Sequence, residues 1–189
     1  MLRYDYANML RTKVGAEGIA AEDLAALFGK LAQARNALEA RRGDLGFFDV
    51  PAAKPSLRDM EKILEGLPKD VDTLVVIGIG GSLLGAQAVH HALAGLGKAK
   101  RFRPPLRLVF AGDATDPQAF ADLEASVDWK RAAVNIISKS GDTIEPMATF
   151  ILCRDALVRK FGKAGAAKRI IATTDAGKGT MRGIDDAEH

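Results

Sequence analysis

The run Leu74-Val75-Val76-Ile77, passing without a break into Gly78-Ile79-Gly80-Gly81-Ser82, limits what this chain can fold into more than any other segment. No polar residue alternates with the aliphatic ones, so both faces of this stretch are expected to be buried, the situation of a strand inside a parallel sheet. Similar runs follow at Leu106 to Phe110, Ala133 to Ile137 and Arg169 to Ala172. Between them the pattern is helical, over Leu83 to Leu93, Pro117 to Ser126 and Ile144 to Phe161, with a last helix starting near Gly179. Strand and helix in alternation predict right-handed crossovers and an α/β fold with a doubly wound parallel sheet.

The first 70 residues have a different texture and are expected to form a helical lead-in, leaving 71–189 as the sheet domain. From Ile19 to Leu38, Leu24, Leu27, Leu31 and Leu38 recur at helical spacing among charges, which predicts an amphipathic helix. A turn-rich connector from Gly43 to Pro55 leads to a short helix, with Ser56 as N-cap and Leu57, Met60, Ile63 and Leu64 expected to face inward.

Composition mainly excludes. With 48% apolar residues among 189, the chain has enough to fill a core, and disorder is not the default. The net charge of +3 is spread along the chain and does not argue for nucleic acid. The densest basic stretch, Lys98 to Arg103 before Pro104-Pro105, reads as a solvated connection. One cysteine, Cys153, cannot form an internal disulfide and is expected to be a small core residue of a reduced, cytoplasmic protein. Neither a signal-peptide pattern nor a membrane-length apolar run is present in the sequence, so no membrane association is expected.

Two loops carry the candidate chemistry. In Gly78-Ile79-Gly80-Gly81-Ser82-Leu83-Leu84-Gly85 the glycines remove Cβ atoms that would hold a ligand away from the backbone N–H groups, and the helix that follows presents its positive dipole end. In Ser138-Lys139-Ser140-Gly141-Asp142-Thr143, three hydroxyls stand within six residues at the mouth of another helix. Capping uses one hydroxyl and not three; the others suit phosphate oxygens. If the strand order is 2-1-3-4, the first and third strands are neighbours, their helices leave on opposite faces, and both loops meet at the topological switch point.

Other phosphate motifs fail. Gly85 is followed by Ala86-Gln87, so the lysine and hydroxyl of a triphosphate loop are missing, and Leu83 stands where a dinucleotide fingerprint needs its third glycine. Asp113 sits where a ribose-binding acid would stand, but without that fingerprint no cofactor is expected. His90 and His91 are helix neighbours that cannot share a face, so no metal is expected there either.

The first loop closely resembles the glycine-serine loop of glucose-6-phosphate isomerases. The second, Ser138 to Glu145, resembles that family's other phosphate loop, which is shared more widely by sugar isomerase (SIS) domains. The resemblance implies an SIS-type sheet with flavodoxin-like strand order, and it places Gly81, Ser82, Ser138, Lys139, Ser140 and Thr143 around the phosphate of a sugar monophosphate. It further implies a cytoplasmic aldose–ketose isomerase interconverting glucose 6-phosphate and fructose 6-phosphate in glycolysis and gluconeogenesis, homodimeric in its full-length form. Asp142 departs from the pattern, since the family more often has threonine there; it is expected to face solvent or to help cap the helix. Glu145 matches a family glutamate, which either orients the site or complements the helix dipole.

Isomerisation through an enediol needs a carboxylate base, a cation for the developing oxyanion and a group that opens the sugar ring. The resemblance puts these beyond His189, so no catalytic residue is assigned within the chain and the 189 residues alone are expected to be inactive. Two other readings stay open from the sequence: a non-catalytic sugar-phosphate-binding SIS module, and an isomerase acting on mannose phosphates.

Overall fold

All five residues of β1 (Thr73–Ile77) are buried in the computed structural model, as the unalternated aliphatic run requires. Beside it lie β2 (Arg107–Ala111), β3 (Ala132–Ile137) and β4 (Ile170–Thr173), in the order β2-β1-β3-β4 with every pairing parallel. The sheet is therefore the doubly wound arrangement expected, and each strand falls within a residue or so of its predicted place. The structure describes residues 3, 5–50, 57–95, 105–175 and 181. By their internal contacts the residues group into two units, Met1–Leu57 and Arg58–His189.

In the first unit a short helix α1 (Arg11–Val14) is followed by the long α2 (Ala21–Ala40), and Leu10 and Ile19 form an isolated parallel bridge. The helix read from the leucine spacing is thus present. None of its residues is buried, however, and Leu27, Leu31 and Leu38 are exposed. Helical period encodes a face that can be buried, not what covers it.

α3 (Leu57–Glu65) shows the same difference. Leu57, Met60, Ile63 and Leu64, expected to point inward, are each about half exposed or more. Ser56, its predicted cap, lies outside the described residues, as do the basic stretch Lys98 to Arg103 and Gly179.

The alternating side chains of the strands feed two cores. Val75, Ile77, Val134 and Ile136 pack with Trp129 and with Phe150, Cys153 and Leu157 of α6 (Ile144–Ala167). Leu74, Val76 and Ala133 point the other way and pack with Leu67 and Leu83, the residue before α4 (Leu84–Gly95). The helices that follow β1 and β3 consequently serve opposite faces of the sheet. Between β2 and β3 comes α5 (Pro117–Ser126), capped by Asp116, whose carboxylate accepts the Gln118 N–H at 2.9 Å, with Pro117 in the first turn.

The rings of His90 and His91 lie tilted and edge-on beside Phe110, with ring centroids 5.5 and 6.1 Å away, where α4 meets β2. Among the described residues no helix is long and apolar enough to cross a membrane.

Candidate functional site

The register of the sheet aligns the two loops. Ile77 is paired with Ile136, so the chain leaves β1 and β3 at nearly the same level of the sheet's C-terminal edge. Gly78 sits so close to β3 that a Cβ there would lie 3.4 Å from the Ile137 carbonyl oxygen.

After β1 the backbone closes a tight turn over Gly80–Ser82, with the Ser82 N–H bonded to the Ile79 carbonyl and the Leu83 N–H to that of Gly80. The turn needs φ +54° at Gly80, a left-handed conformation that favours glycine. Leu83, buried in the second core, fastens the turn to the sheet. α4 therefore starts at Leu84, one residue later than predicted, and a 3₁₀ turn rather than its first α-turn carries Ser82.

After β3 the loop is held by its own hydroxyls. Ser138 Oγ accepts the Gly141 N–H at 3.1 Å and Ser140 Oγ accepts the Asp142 N–H at 3.2 Å. Each hydroxyl spends a lone pair in this and keeps its proton for a ligand oxygen. The end of β4 braces the loop from outside: the Ser138 N–H donates to the Thr173 carbonyl at 3.1 Å, and the Lys139 carbonyl accepts from Thr174 Oγ1 at 3.3 Å. Gly141 turns at φ +74°, and a Cβ there would come within 2.6 Å of the Met181 backbone nitrogen.

Thr143 occupies the N-cap of α6, as expected, but its hydroxyl makes no cap bond. The helix end is left with N–H groups at the cleft.

Between the loops lies a cleft of about 600 Å³. Ser82 reaches it from the first loop; Ser138, Lys139, Ser140 and Thr143 reach it from the second. Of the six residues named from the resemblance, these five share one cavity. Gly81 sits in the adjoining turn, exposed, and does not line it. Glu145 is likewise not part of the lining, although its position in the first turn of α6 suits the helix dipole.

Asp142, expected to face solvent or to help cap the helix, is exposed and also borders the cleft. A second acid, Asp175, completes the rim and was not singled out from the sequence. Its position just past the C-terminal end of β4, the strand beside β3, was the available signal, because ligands gather at that edge of such sheets.

The arrangement suits a compact anion carrying several oxygens. It offers four hydroxyl groups, an ammonium group and the end of a helix, with the apolar Ile79, Ile137 and Pro146 restricting water.

Comparison with known proteins identifies a family. The sequence pattern of the phosphoglucose isomerase family matches residues 57–189. A glucose-6-phosphate isomerase of Streptococcus equi subsp. zooepidemicus is 36% identical over 198 residues, covering 100% of this chain and 43% of the relative. One from Streptococcus pyogenes is 35% identical over 199 residues, with the same coverage. The chain thus spans less than half the length of these curated relatives. Among solved structures, a hypothetical protein from Thermus thermophilus superposes with a TM-score of 0.72 at 30% identity, covering 88% of this chain and 39% of that one. A glucose-6-phosphate isomerase from Chlamydia trachomatis gives 0.55 at 32% identity, covering 66% and 22%.

Proposed function

Because the chain belongs to the phosphoglucose isomerase family, we propose that it supplies the phosphate-holding part of an enzyme that interconverts glucose 6-phosphate and fructose 6-phosphate. The observation that carries this reading is the meeting of Ser82 with Ser138, Lys139, Ser140 and Thr143 in one cleft at the switch point of the sheet. Hydrogen bonds to a charged phosphate contribute about 1.5–3 kcal/mol each, so three or four donors hold a monophosphate without a metal.

The phosphate does not react in an aldose–ketose exchange. Fixing it nevertheless positions the two carbons between which the proton moves, and its binding energy is available for that orientation. Ser138 and Ser140 are already turned for the task by their backbone partners, Gly141 and Asp142, so little reorganisation accompanies binding. We assign no group of this chain to the proton transfer itself. In this reading residues 71–189 are the sugar-phosphate-binding domain behind a lead-in of residues 1–70, and the full-length enzyme is a cytoplasmic homodimer.

The test is calorimetric titration of the chain with fructose 6-phosphate and with fructose, repeated on Ser82→Ala and Ser140→Ala. Binding that needs the phosphate and weakens in both variants supports one shared site. Equal binding of the two sugars, or loss in only one variant, overturns it.

A further inference from the structure

The hydroxyls of the second loop shape it but do not aim it. Ser138 and Ser140 both accept from N–H groups of the loop itself, those of Gly141 and Asp142. The loop is tied to the sheet from outside, by the residues that follow β4. The ladder between β3 and β4 reaches Ile137 and Thr173. Beyond it the Lys139 carbonyl accepts from Thr174 Oγ1 at 3.3 Å and from the Asp175 N–H at 3.4 Å. A side-chain hydroxyl thus continues, past the end of the strands, the tie that the ladder makes within them.

This contact orients a whole peptide unit. The bond joining Lys139 to Ser140 is trans, so its C=O and N–H point in opposite directions. With the carbonyl drawn to the end of β4, the Ser140 N–H points away from β4. In the order β2-β1-β3-β4, that side of β3 holds β1, which runs on into the Gly80–Ser82 turn. Lys139, Ser140 and Ser82 all line the anion cleft; Thr174 is half-buried, does not line it, and reaches it through Lys139.

We propose that Thr174 is a positioning residue for phosphate binding: through the Lys139 carbonyl, its hydroxyl fixes the tilt of the Lys139–Ser140 peptide and with it the aim of the loop across the cleft. The proposal rests on the reading of that cleft as a phosphate site. Without the hydroxyl the loop keeps its internal bonds, while the Lys139 carbonyl retains the longer bond from Asp175. The peptide then has to be ordered when the anion binds, and that ordering is subtracted from the affinity.

Thr174→Val keeps the size and β-branching of the side chain and removes its hydroxyl, so folding is not at risk. In calorimetric titrations this variant is expected to bind inorganic phosphate and fructose 6-phosphate about three- to tenfold more weakly, the share of one ordinary hydrogen bond. Thr174→Ser restores the hydroxyl and should restore both affinities; a space-filling role would be met by valine and not by serine. In the ligand-free chain the ¹⁵N–¹H resonance of Ser140 should move in the valine variant and return in the serine variant. Parent-like affinity in Thr174→Val, no recovery in Thr174→Ser, or an unmoved Ser140 resonance would overturn the proposal and leave the cleft reading standing. A parent chain that binds fructose as well as fructose 6-phosphate and ignores inorganic phosphate would overturn the cleft reading, and the proposal with it.

Discussion

The guanidinium of Arg169 reaches the carboxylate of Asp70 at 2.6 Å, joining residues 99 positions apart. Arg169 stands immediately before β4 and is itself buried, with a second, longer bond to the Ala132 carbonyl and its guanidinium 4.1 Å from the centre of the Phe161 ring. It thus ties the segment before β1 to β3, β4 and the last full turns of α6. A planar, always charged group that is stacked and hydrogen-bonded together is not replaceable by lysine at the same strength.

Arg169→Met is accordingly expected to destabilise the fold by about 2–3 kcal/mol, since it removes charge-assisted bonds and a stacking contact while leaving Asp70 able to turn to water. Urea unfolding measures it as a lower midpoint at unchanged slope. A midpoint equal to that of the parent chain would show that the buried arginine contributes no net stability.

The same contact makes stability depend on acid. The hydrogen bond from Arg169 holds the Asp70 carboxyl below its ordinary 3.8, and those from Arg131 and then Thr73 do so for Asp72. A carboxyl whose folded pKa is depressed binds its proton more readily in the unfolded chain. Its stabilising contribution is complete above the ordinary value and drains as pH falls through the depressed one. Both carboxylates are about half exposed, so water screens part of the effect. Urea midpoints should therefore hold steady down to a pH of about 5 and fall below about 4. Asp70→Asn should flatten part of that acid limb, and an acid limb as steep as the parent's would count against the assignment.

The sheet was readable from sequence because its information is local. Val75, Val76 and Ile77 are buried as their unbroken run requires, and the glycine and serine clusters sit where the strands end. Even the predicted end of the long helix at Phe161 has a counterpart. α6 continues to Ala167, yet Gly162 at φ 68° and ψ 174° interrupts its helical geometry directly after Phe161. What could not be read depends on tertiary neighbours. The exposure of Leu31 and Met60 follows from what covers a helix face, and the arrival of Asp175 at the cleft follows from β4 lying beside β3. Periodicity carries neither kind of information.

The two serines of the second loop should separate binding from stability. Ser138 is buried, and its hydroxyl is the partner of the Gly141 N–H; Ser140 is exposed and bonds the Asp142 N–H near water. Either change to alanine is expected to weaken fructose 6-phosphate binding by about 10- to 100-fold. Only Ser138→Ala should also lower stability, by about 1–3 kcal/mol, because it strands a buried donor. Calorimetric titration together with urea unfolding decides this. Equal stability losses would mean that the two hydroxyls are not divided as their burial indicates.

Asp142 gives the sharpest electrostatic test of the site. It borders the cleft together with Asp175, while Lys139 is the one cation on that lining among the described residues. A carboxylate about 8 Å from a phosphate, at an effective dielectric near about 60, repels it by roughly 0.7 kcal/mol per phosphate charge. With nearly two charges on the phosphate at neutral pH, Asp142→Asn should tighten fructose 6-phosphate binding about three- to tenfold. Asp142→Thr should gain at least as much, since threonine adds a donor. Because Asp142 is exposed, the gain must shrink as salt shortens the screening length to about 3 Å near 1 M. Titrations of both variants at low and high salt therefore distinguish repulsion from local repacking. A gain that is unaffected by salt, or no gain in the asparagine variant, would mean that the Asp142 charge is not felt by the anion.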